Sequence, residues 1–488
     1  MKRLWIAAAL LLAILGGCLC NAWYLGSLTR EMNQLLEQAG QLAQTDSWPE
    51  ARRLTSQAYQ RWQACHAYLH TTLRHGDTDQ ILRAFQAVFQ YLDLEEMDQY
   101  AAAFRHPQLE TQMVYAGKAF LCGAMVRLVD EAGWWLDVVS GGELACALRS
   151  GMPPRRILFH GNNKTPAELA AALDAGVGAV VVDNLPECRR LASLARQLRK
   201  PAAALLRVNP GVEAHTHRYI VTAHLDSKFG ISMARREELY AALAELGASD
   251  YLTFLGFHAH IGSQITDPAA FAAEIQQLAI LSQEAEQRGY QVPVWDLGGG
   301  FAARYTQEDN PPPVEEICRA ILDACAGQKA ERSLSLKRVL IEPGRSVVGE
   351  AGTTVYTVGW LKSTPAREYL FVDGGMADNI RPALYQAQYR CTPVERPTAP
   401  PARTYTVAGK CCESGDILIQ EAPLPAMKTG ELLAVHTTGA YCYSMASNYN
   451  GLGRPPVVFA RGGKARLVLR REEPEDLLRL ECEEGISL

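Results

Sequence analysis

The 488-residue sequence contains no CxxC pair and no cysteine–histidine spacing of the kind that holds a metal. Its thirteen cysteines are scattered, which excludes a disulfide framework and points to reduced thiols; only the adjacent Cys411 and Cys412 stand out. An excess of one charge is also lacking. With 48 basic against 53 acidic residues the formal balance is −5, which gives no reason to expect nucleic acid as a partner. What remains is the composition of an ordinary globular chain, long enough for two or three domains with ample core.

One long apolar run is present, at the start. In "MKRLWIAAALLLAILGGCLCNAWYLG" two basic residues precede an apolar stretch from Leu4 to about Cys20, which Ala22 to Leu25 extend. This predicts a membrane anchor or signal-like segment over residues 1–25, with membrane contact only through 4–25. "LGGC", ending at Cys18, also resembles a lipoprotein cleavage box.

Residues 26–110 read as α-helical. Met32, Leu35, Leu36, Ala39 and Leu42 form one stripe at helical spacing. "TDSWPEA" reads as a cap, with Ser47 before the first turn and Pro49 inside it, opening a second helix. "DQILRAFQAVFQYLDL" predicts a third. The region and its anchor resemble an uncharacterised family of short membrane-anchored helical bacterial proteins, and its tryptophans and histidines read as packing residues.

From residue 111 to 350 the texture changes. Eight short apolar or β-branched runs alternate with helical stretches: "MVYAGKA", "LDVVS", "ILFHG", "AVVVDN", "AAALLRVNP", "LGFHAHIGS", "WDLGGG" and "RVLIEPG". That count and length predict a (β/α)8 barrel, with an open doubly wound sheet as the alternative. Lys118, Asp137, His160, Arg207, His260, Gly298 to Gly300 and Glu342 all fall at the C-terminal ends of these runs, the face on which a barrel builds its site. Lys118 poses the sharpest question, since an ammonium inside an apolar run is expensive to desolvate. It is either a side chain snorkelling to the surface or a desolvated nucleophile of depressed pKa, suited to forming a Schiff base.

Eleven blocks then occur in order: "YAGKAF", "LDVVSGGEL", "HGNNKTPAEL", "PGVEAHTH", "DSKFGIS", "HAHIGSQ", "DLGGGF", "IEPGRSVV", "VDGGMADNIRPALY", "CESGD" and "GAYCYSMASNYN". Through them the chain from about Val114 onward resembles the diaminopimelate decarboxylases, pyridoxal-phosphate enzymes of the alanine-racemase-like barrel class. The resemblance implies decarboxylation of meso-2,6-diaminopimelate to L-lysine and CO2, with Lys118 carrying the cofactor. It implies further that Ser263, the Gly298–Gly299–Gly300 turn, Gly344 and Arg345 of "EPGR", and Tyr441 hold the phosphate. Glu342 faces the pyridine nitrogen, and His260 stacks on the ring. His258 points the same way by strand periodicity, so only the motif separates the two. Asp137 and Arg207 match pocket positions, though a structural ion pair suits each equally. The glycine turn itself offers bare backbone N–H groups to a phosphate. Cys412 matches the proton donor. Arg345, Arg381, Tyr385 and Tyr441 resemble the groups that fix the distal end of the substrate, with Glu413 suited to its second ammonium. No metal is implied.

Residues 351–488 shift to short strands and turns, predicting a β-sandwich or small β-barrel. In the resembling family this domain pairs with a second subunit, so a homodimer with shared active sites is implied, with "CESGD" reaching into the neighbour. The family also implies a cytoplasmic catalytic region. A relative acting on lysine, ornithine, arginine or carboxynorspermidine is the alternative, against which "RPALY" and "CESGD" argue. A damaged, inactive membrane-tethered fusion is the other, against which Lys118 and Cys412 argue. The family normally begins with a strand and a helix before the lysine strand. Nothing like them is evident before Val114, so the sequence predicts a barrel lacking its flanking helix.

Overall fold

The eight β-branched runs close on themselves. In the computed structural model, which describes residues 24, 27–28, 30–39, 48–65, 96–212, 227–461 and 464–482, they form eight parallel barrel strands. These are β1 (Glu110–Ala116), β2 (Trp135–Val138), β3 (Ile157–Phe159), β4 (Ala179–Val182), β5 (Ala202–Asn209), β7 (Leu252–His258), β8 (Val294–Asp296) and β9 (Arg338–Ile341). A two-residue β6 (Ile231–Ser232) pairs in parallel with the end of β5, Val208 opposite Ile231. The order β4-β3-β2-β1-β9-β8-β7-β5 is closed by pairing of β4 with β5, Val180 opposite Ala204, which excludes the open sheet. Alternation then sorts the side chains. Val114, Leu158, Val181, Leu205 and Leu340 fill the barrel interior, while Tyr115, Leu136, Phe159, Val180 and Leu206 face the surrounding helices.

The helices begin where capping chemistry places them. Ser140 accepts from the Glu143 backbone N–H, Thr165 and Glu168 form a reciprocal box, and Asn184 accepts from the Glu187 N–H. Each cap lies just past a strand's C-terminal end, so it also helps shape the barrel mouth.

The flanking helix missing from the sequence reading is present. Glu96–Ala103 packs on the barrel with Tyr100 and Phe104 buried, and the division between compact units falls between Glu95 and Glu96, upstream of residue 110. The Tyr100 hydroxyl lies 2.7 Å from Ser346 Oγ, and its ring meets Trp134 and Phe301 edge-on. Met97, Tyr100, Ala103 and Phe104 form its inward face, at helical spacing.

Beyond the barrel, β10 (Thr353–Ser363), β11 (Glu368–Val372), β12 (Cys391–Pro393), β13 (Arg403–Ala408), β14 (Ile417–Leu424) and β15 (Leu432–His436) form one mixed sheet, ordered β12-β15-β10-β11-β13-β14. Tyr356, Leu370, Val407, Leu418 and Leu433 make its core. The remaining hairpin, β16 (Val457–Arg461) and β17 (Lys464–Leu469), stands apart from that sheet. Its Phe459 packs on Phe120 of the barrel at 6.3 Å. "PPVVFARGGKARLVLRR" therefore does not extend the sheet of the second domain, as its position in the sequence suggested. It belongs against the barrel, because Val457, Phe459, Val468 and Leu469 find their apolar partners there.

The first unit, taken by itself, pairs a helical stretch at 30–39 with the helix Trp48–Ala64. Leu28, Met32, Ala58, Trp62 and Cys65 form its small core, joined by an ion pair between Arg61 and Glu31 at 3.2 Å. The anchor expected over 1–25, the cap at Ser47 and the third helix lie outside the described residues, apart from Tyr24. Among the described residues no helix is long and apolar enough to cross a membrane, so the membrane-anchored family reading of this region gains no support. The described cysteines are free thiols.

Candidate active site

Lys118 occupies a single helical turn, Gly117–Ala119, directly after β1, where the Tyr115 hydroxyl donates to the Phe120 carbonyl at 2.7 Å and pins the chain. Lys118 is exposed by solvent area, and its side chain opens into a cavity at the barrel mouth. The depressed pKa expected for Lys118 is not what the structure shows. Burial does push the ammonium down, but Asp137, Tyr441 and Glu342 together outweigh it and hold Lys118 above the ordinary lysine value. The Lys118 side chain lines the cavity wall beside Glu342 and Tyr441.

Below Lys118 lies a buried polar floor. Glu342, just past β9, has Oε1 at 2.8 Å from His160 Nε2 and Oε2 at 3.3 Å from His258 Nε2. Burial opposes charge on Glu342, but the two imidazoles prevail and hold it well below the usual carboxylate range. Asp296, on β8, goes the other way: burial and its neighbour Glu342 push it well above that range, so it is a neutral acid. Asp137 is raised too, by burial first. Burial lowers His258 to about 3 and His260 well below the ordinary imidazole value, so both are neutral at physiological pH.

The structure separates the two candidate histidines. His260 lines the cavity, with Nδ1 accepting from the Gly299 N–H at 3.3 Å. His258 is buried beneath it, facing Glu342.

The opposite end of the cavity is cationic. Arg345 donates through Nε and Nη2 to Ser263 Oγ at 3.2 and 3.0 Å, and through Nη1 to the Tyr305 hydroxyl at 2.6 Å. Its guanidinium lies 4.7 Å from the centre of the Tyr441 ring. Tyr441 adopts a left-handed backbone (φ 62°), and its N–H donates to the Ala119 carbonyl at 2.8 Å. The Ser444 hydroxyl donates to the same oxygen at 3.0 Å, so a strap from the second domain is tied to the lysine turn. The glycine turn is not the bare ring of donors that the sequence suggested. The Gly298 N–H is taken by Asp296 Oδ1 and that of Gly299 by His260. Glycine is required there for close approach: a Cβ on Gly299 would sit 2.2 Å from the Glu342 carbonyl oxygen.

Of the expected cofactor-binding residues, Lys118, His260, Ser263, Gly299, Gly300, Glu342, Gly344, Arg345 and Tyr441 line the cavity. Asp137 and Gly298 lie behind that lining. Arg381, buried in the short helix Arg381–Tyr385, donates to the Tyr389 hydroxyl at 2.6 Å and stacks at 4.8 Å on Tyr305, the ring that also meets Arg345. Tyr385, at the end of that helix, is half-buried. Cys412 and Glu413 are exposed on a turn before β14 and line no part of the cavity. There the Cys412 N–H donates to Asn450 Oδ1 at 2.7 Å, and Glu413 Oε1 accepts from the Gly415 N–H at 3.1 Å. Sequence reasoning placed His160 on the site face without a role and did not single out Phe301, Tyr305 or Asp296. Position at a strand's C-terminal end singled out His160 and was a usable signal for Asp296 as well; Tyr305 sits in a loop and carried none.

This donor set fits pyridoxal phosphate: an amine for the aldehyde, an arginine and a serine for the phosphate, and an ionised carboxylate for the ring nitrogen. Residues 94–349 match the family of pyridoxal-dependent decarboxylases through its pyridoxal-binding domain. That match starts upstream of Val114 and includes the flanking helix. The chain is 48% identical over 389 residues to a diaminopimelate decarboxylase of Halalkalibacterium halodurans, covering 79% of this chain and 88% of the relative. Over the same shares it is 46% identical to that of Bacillus subtilis. Among solved structures, a diaminopimelate decarboxylase of M. jannaschii aligns with a TM-score of 0.75 at 30% identity, covering 81% of this chain and 91% of that one. The Helicobacter pylori enzyme, solved with L-lysine, aligns with a TM-score of 0.72 at 30% identity, covering 80% and 94%.

Proposed function

The chain belongs to the diaminopimelate decarboxylase family, and from that premise we propose how its residues convert meso-2,6-diaminopimelate to L-lysine and CO2. It is a pyridoxal-phosphate-dependent carboxy-lyase. One observation carries the residue roles: a single cavity sets the Lys118 amine between a carboxylate locked by two imidazoles and an arginine braced by Ser263 and Tyr305.

Lys118 is the covalent attachment point. Arg345 and Ser263 seat the phosphate, with Tyr441 closing over them from the second domain. Glu342 holds a proton on the ring nitrogen, and His260, neutral, packs on the ring face. When bound, the cofactor supplies the electron sink for the pair left as CO2 departs. Asp137, close to Lys118 and 3.8 Å from His160, stabilises the Lys118 ammonium while the amine is free of cofactor. Arg381 and Tyr385 orient the distal end of the substrate, and Arg381 shares Tyr305 with Arg345, so the two recognition points are mechanically linked.

Cys412 delivers the proton to the carbon that lost CO2, and Glu413 recognises the distal ammonium. Both are exposed on a turn outside their own chain's cavity, so the reading includes a homodimer in which this turn completes the cavity of a second copy. Trp360, 74% exposed on β10, together with Val355 and Leu361, offers apolar surface for that pairing. The apolar segment 4–25 has no part in the chemistry.

The purified protein with cofactor is expected to release CO2 and lysine from meso-diaminopimelate and to leave ornithine unchanged; comparable turnover of ornithine refutes the substrate assignment. Glu413→Gln raises KM more than it lowers kcat, and Cys412→Ala does the reverse. Mixing the inactive Lys118→Ala and Cys412→Ala variants tests sharing. Random re-pairing makes half the dimers mixed, each with one intact site of two, so about a quarter of the activity returns. Activity that stays at zero places Cys412 outside the neighbour's site.

A further inference from the structure

We propose that His160 and His258 are positioning residues, which together grip both oxygens of Glu342 and keep its carboxylate aimed into the cavity as an anion. The inference rests on the reading of Glu342 as the partner of the ring nitrogen. The geometry is a two-sided clamp. Glu342 Oε2 is hydrogen-bonded to His258 Nε2 at 3.3 Å, and Oε1 lies in ion-pair contact 2.8 Å from His160 Nε2. The rings meet edge-to-face, with centroids 4.9 Å apart. They come from the ends of β3 and β7, neither of which neighbours β9, so the contact spans the barrel mouth. All three side chains are at most 5% exposed.

The protonation pattern follows from the surroundings. His258 Nδ1 is buried with no hydrogen-bond partner. A proton there would be an unpaired buried donor, so the ring's single proton sits on Nε2 and faces Glu342. Asp296 lies in the same cluster, all four ligand-type atoms falling within 4.8 Å of one another, and as a neutral acid it brings no competing charge. The other ionisable groups that interact with Glu342 include Asp137, Lys118 and Arg207, two of them cations, and Glu274, which burial and Glu342 itself push well above the usual carboxylate range. Every donor directed at the carboxylate makes it less basic. Between Glu342 and a ring nitrogen facing it, the proton therefore rests on the nitrogen; with the clamp removed, it moves to a Glu342 oxygen.

The test reads where that proton sits, independently of turnover. Holoenzyme is prepared with pyridoxal phosphate labelled with 15N in the ring, and the nitrogen is observed by solid-state NMR. The intact protein is expected to show the pyridinium resonance and Glu342→Gln the pyridine resonance. His160→Leu and His258→Leu are each expected to move at least half the signal to the pyridine position, with kcat falling more than tenfold and KM changing less than threefold. His258→Gln, which still reaches Glu342 with an N–H, keeps the pyridinium signal. His258→Asn, which is too short, loses it, and this polar pair decides the matter if the leucine variants do not fold. If the histidine variants keep the pyridinium signal while Glu342→Gln loses it, the clamp is refuted and the role of Glu342 survives. If Glu342→Gln keeps it, the reading of Glu342 falls and the clamp with it. Stoichiometric Zn2+ binding by the cofactor-free protein, abolished in the histidine variants, also overturns the proposal by making the cluster a metal site.

Discussion

Replacing Tyr100 by alanine removes the side chain on which the flanking helix depends. Tyr100 is 1% exposed, meets Trp134 and Phe301 edge-on, and hydrogen-bonds Ser346 at 2.7 Å. Deleting a buried aromatic side chain costs about 3–5 kcal/mol. Losing the hydroxyl contact, and leaving the buried Ser346 without it, adds about 1 kcal/mol, for a total of roughly 4–6. Against a typical global stability of about 5–15 kcal/mol, that is a large fraction. Tyr100→Phe keeps the ring and forfeits only the hydroxyl, so about 1 kcal/mol is expected. Urea unfolding of the cofactor-free protein, followed by tryptophan fluorescence, measures both. The effect extends to the site, because Ser346 follows Arg345 and Phe301 lines the cavity. Cofactor affinity is therefore expected to fall with stability in the alanine variant. A loss below about 1 kcal/mol for Tyr100→Ala would show the helix to be peripheral, and the barrel would stand as one without its flank.

Borohydride reduction of the holoenzyme is expected to fix the cofactor on Lys118, and Lys118→Ala to abolish the adduct; peptide mapping to another lysine refutes the attachment. Arg345→Gln removes charge-assisted bonds worth about 1.5–3 kcal/mol, so affinity for pyridoxal phosphate drops roughly 10- to 150-fold. Binding of pyridoxal without its phosphate stays within a few-fold, and an equal loss for both ligands would argue for general disruption. His258 makes stability depend on pH: its folded-state pKa of about 3 lies below the ordinary 6.5, so the unfolded chain binds the proton that the folded one refuses. Its contribution is complete above pH 6.5 and declines as pH falls towards 3, by about 2 kcal/mol between pH 6.5 and 5. His258→Gln is expected to flatten that part of the unfolding profile, and an unchanged slope would refute it.

Much of this molecule was legible in the sequence, because parallel strands buried on both faces must be short, apolar and β-branched. Runs such as "AVVV" and "RVLI" declare themselves, and counting eight of them predicts the barrel. The strand-end rule then located Lys118, His260 and Glu342 on one face without any contact being known. Other features had no local signature. The helix Glu96–Ala103 docks through Met97, Tyr100, Ala103 and Phe104, and the hairpin 457–469 reads like any other in a β-rich segment. Each is assigned by apolar partners far away in the sequence. Electrostatics went furthest from the sequence reading. Lys118, in an apolar run, suggested a depressed pKa, but folding brings Asp137 and Glu342 to it and reverses the sign. His258 ends β7 and His260 follows two residues later in the same sequence periodicity, and only the convergence of β3, β7 and β9 makes one a buried brace and the other a cavity wall. Strand alternation is a property of neighbouring residues and can be read from the chain, whereas a charge state is set by every group within a few ångströms, and those groups meet only when the barrel closes.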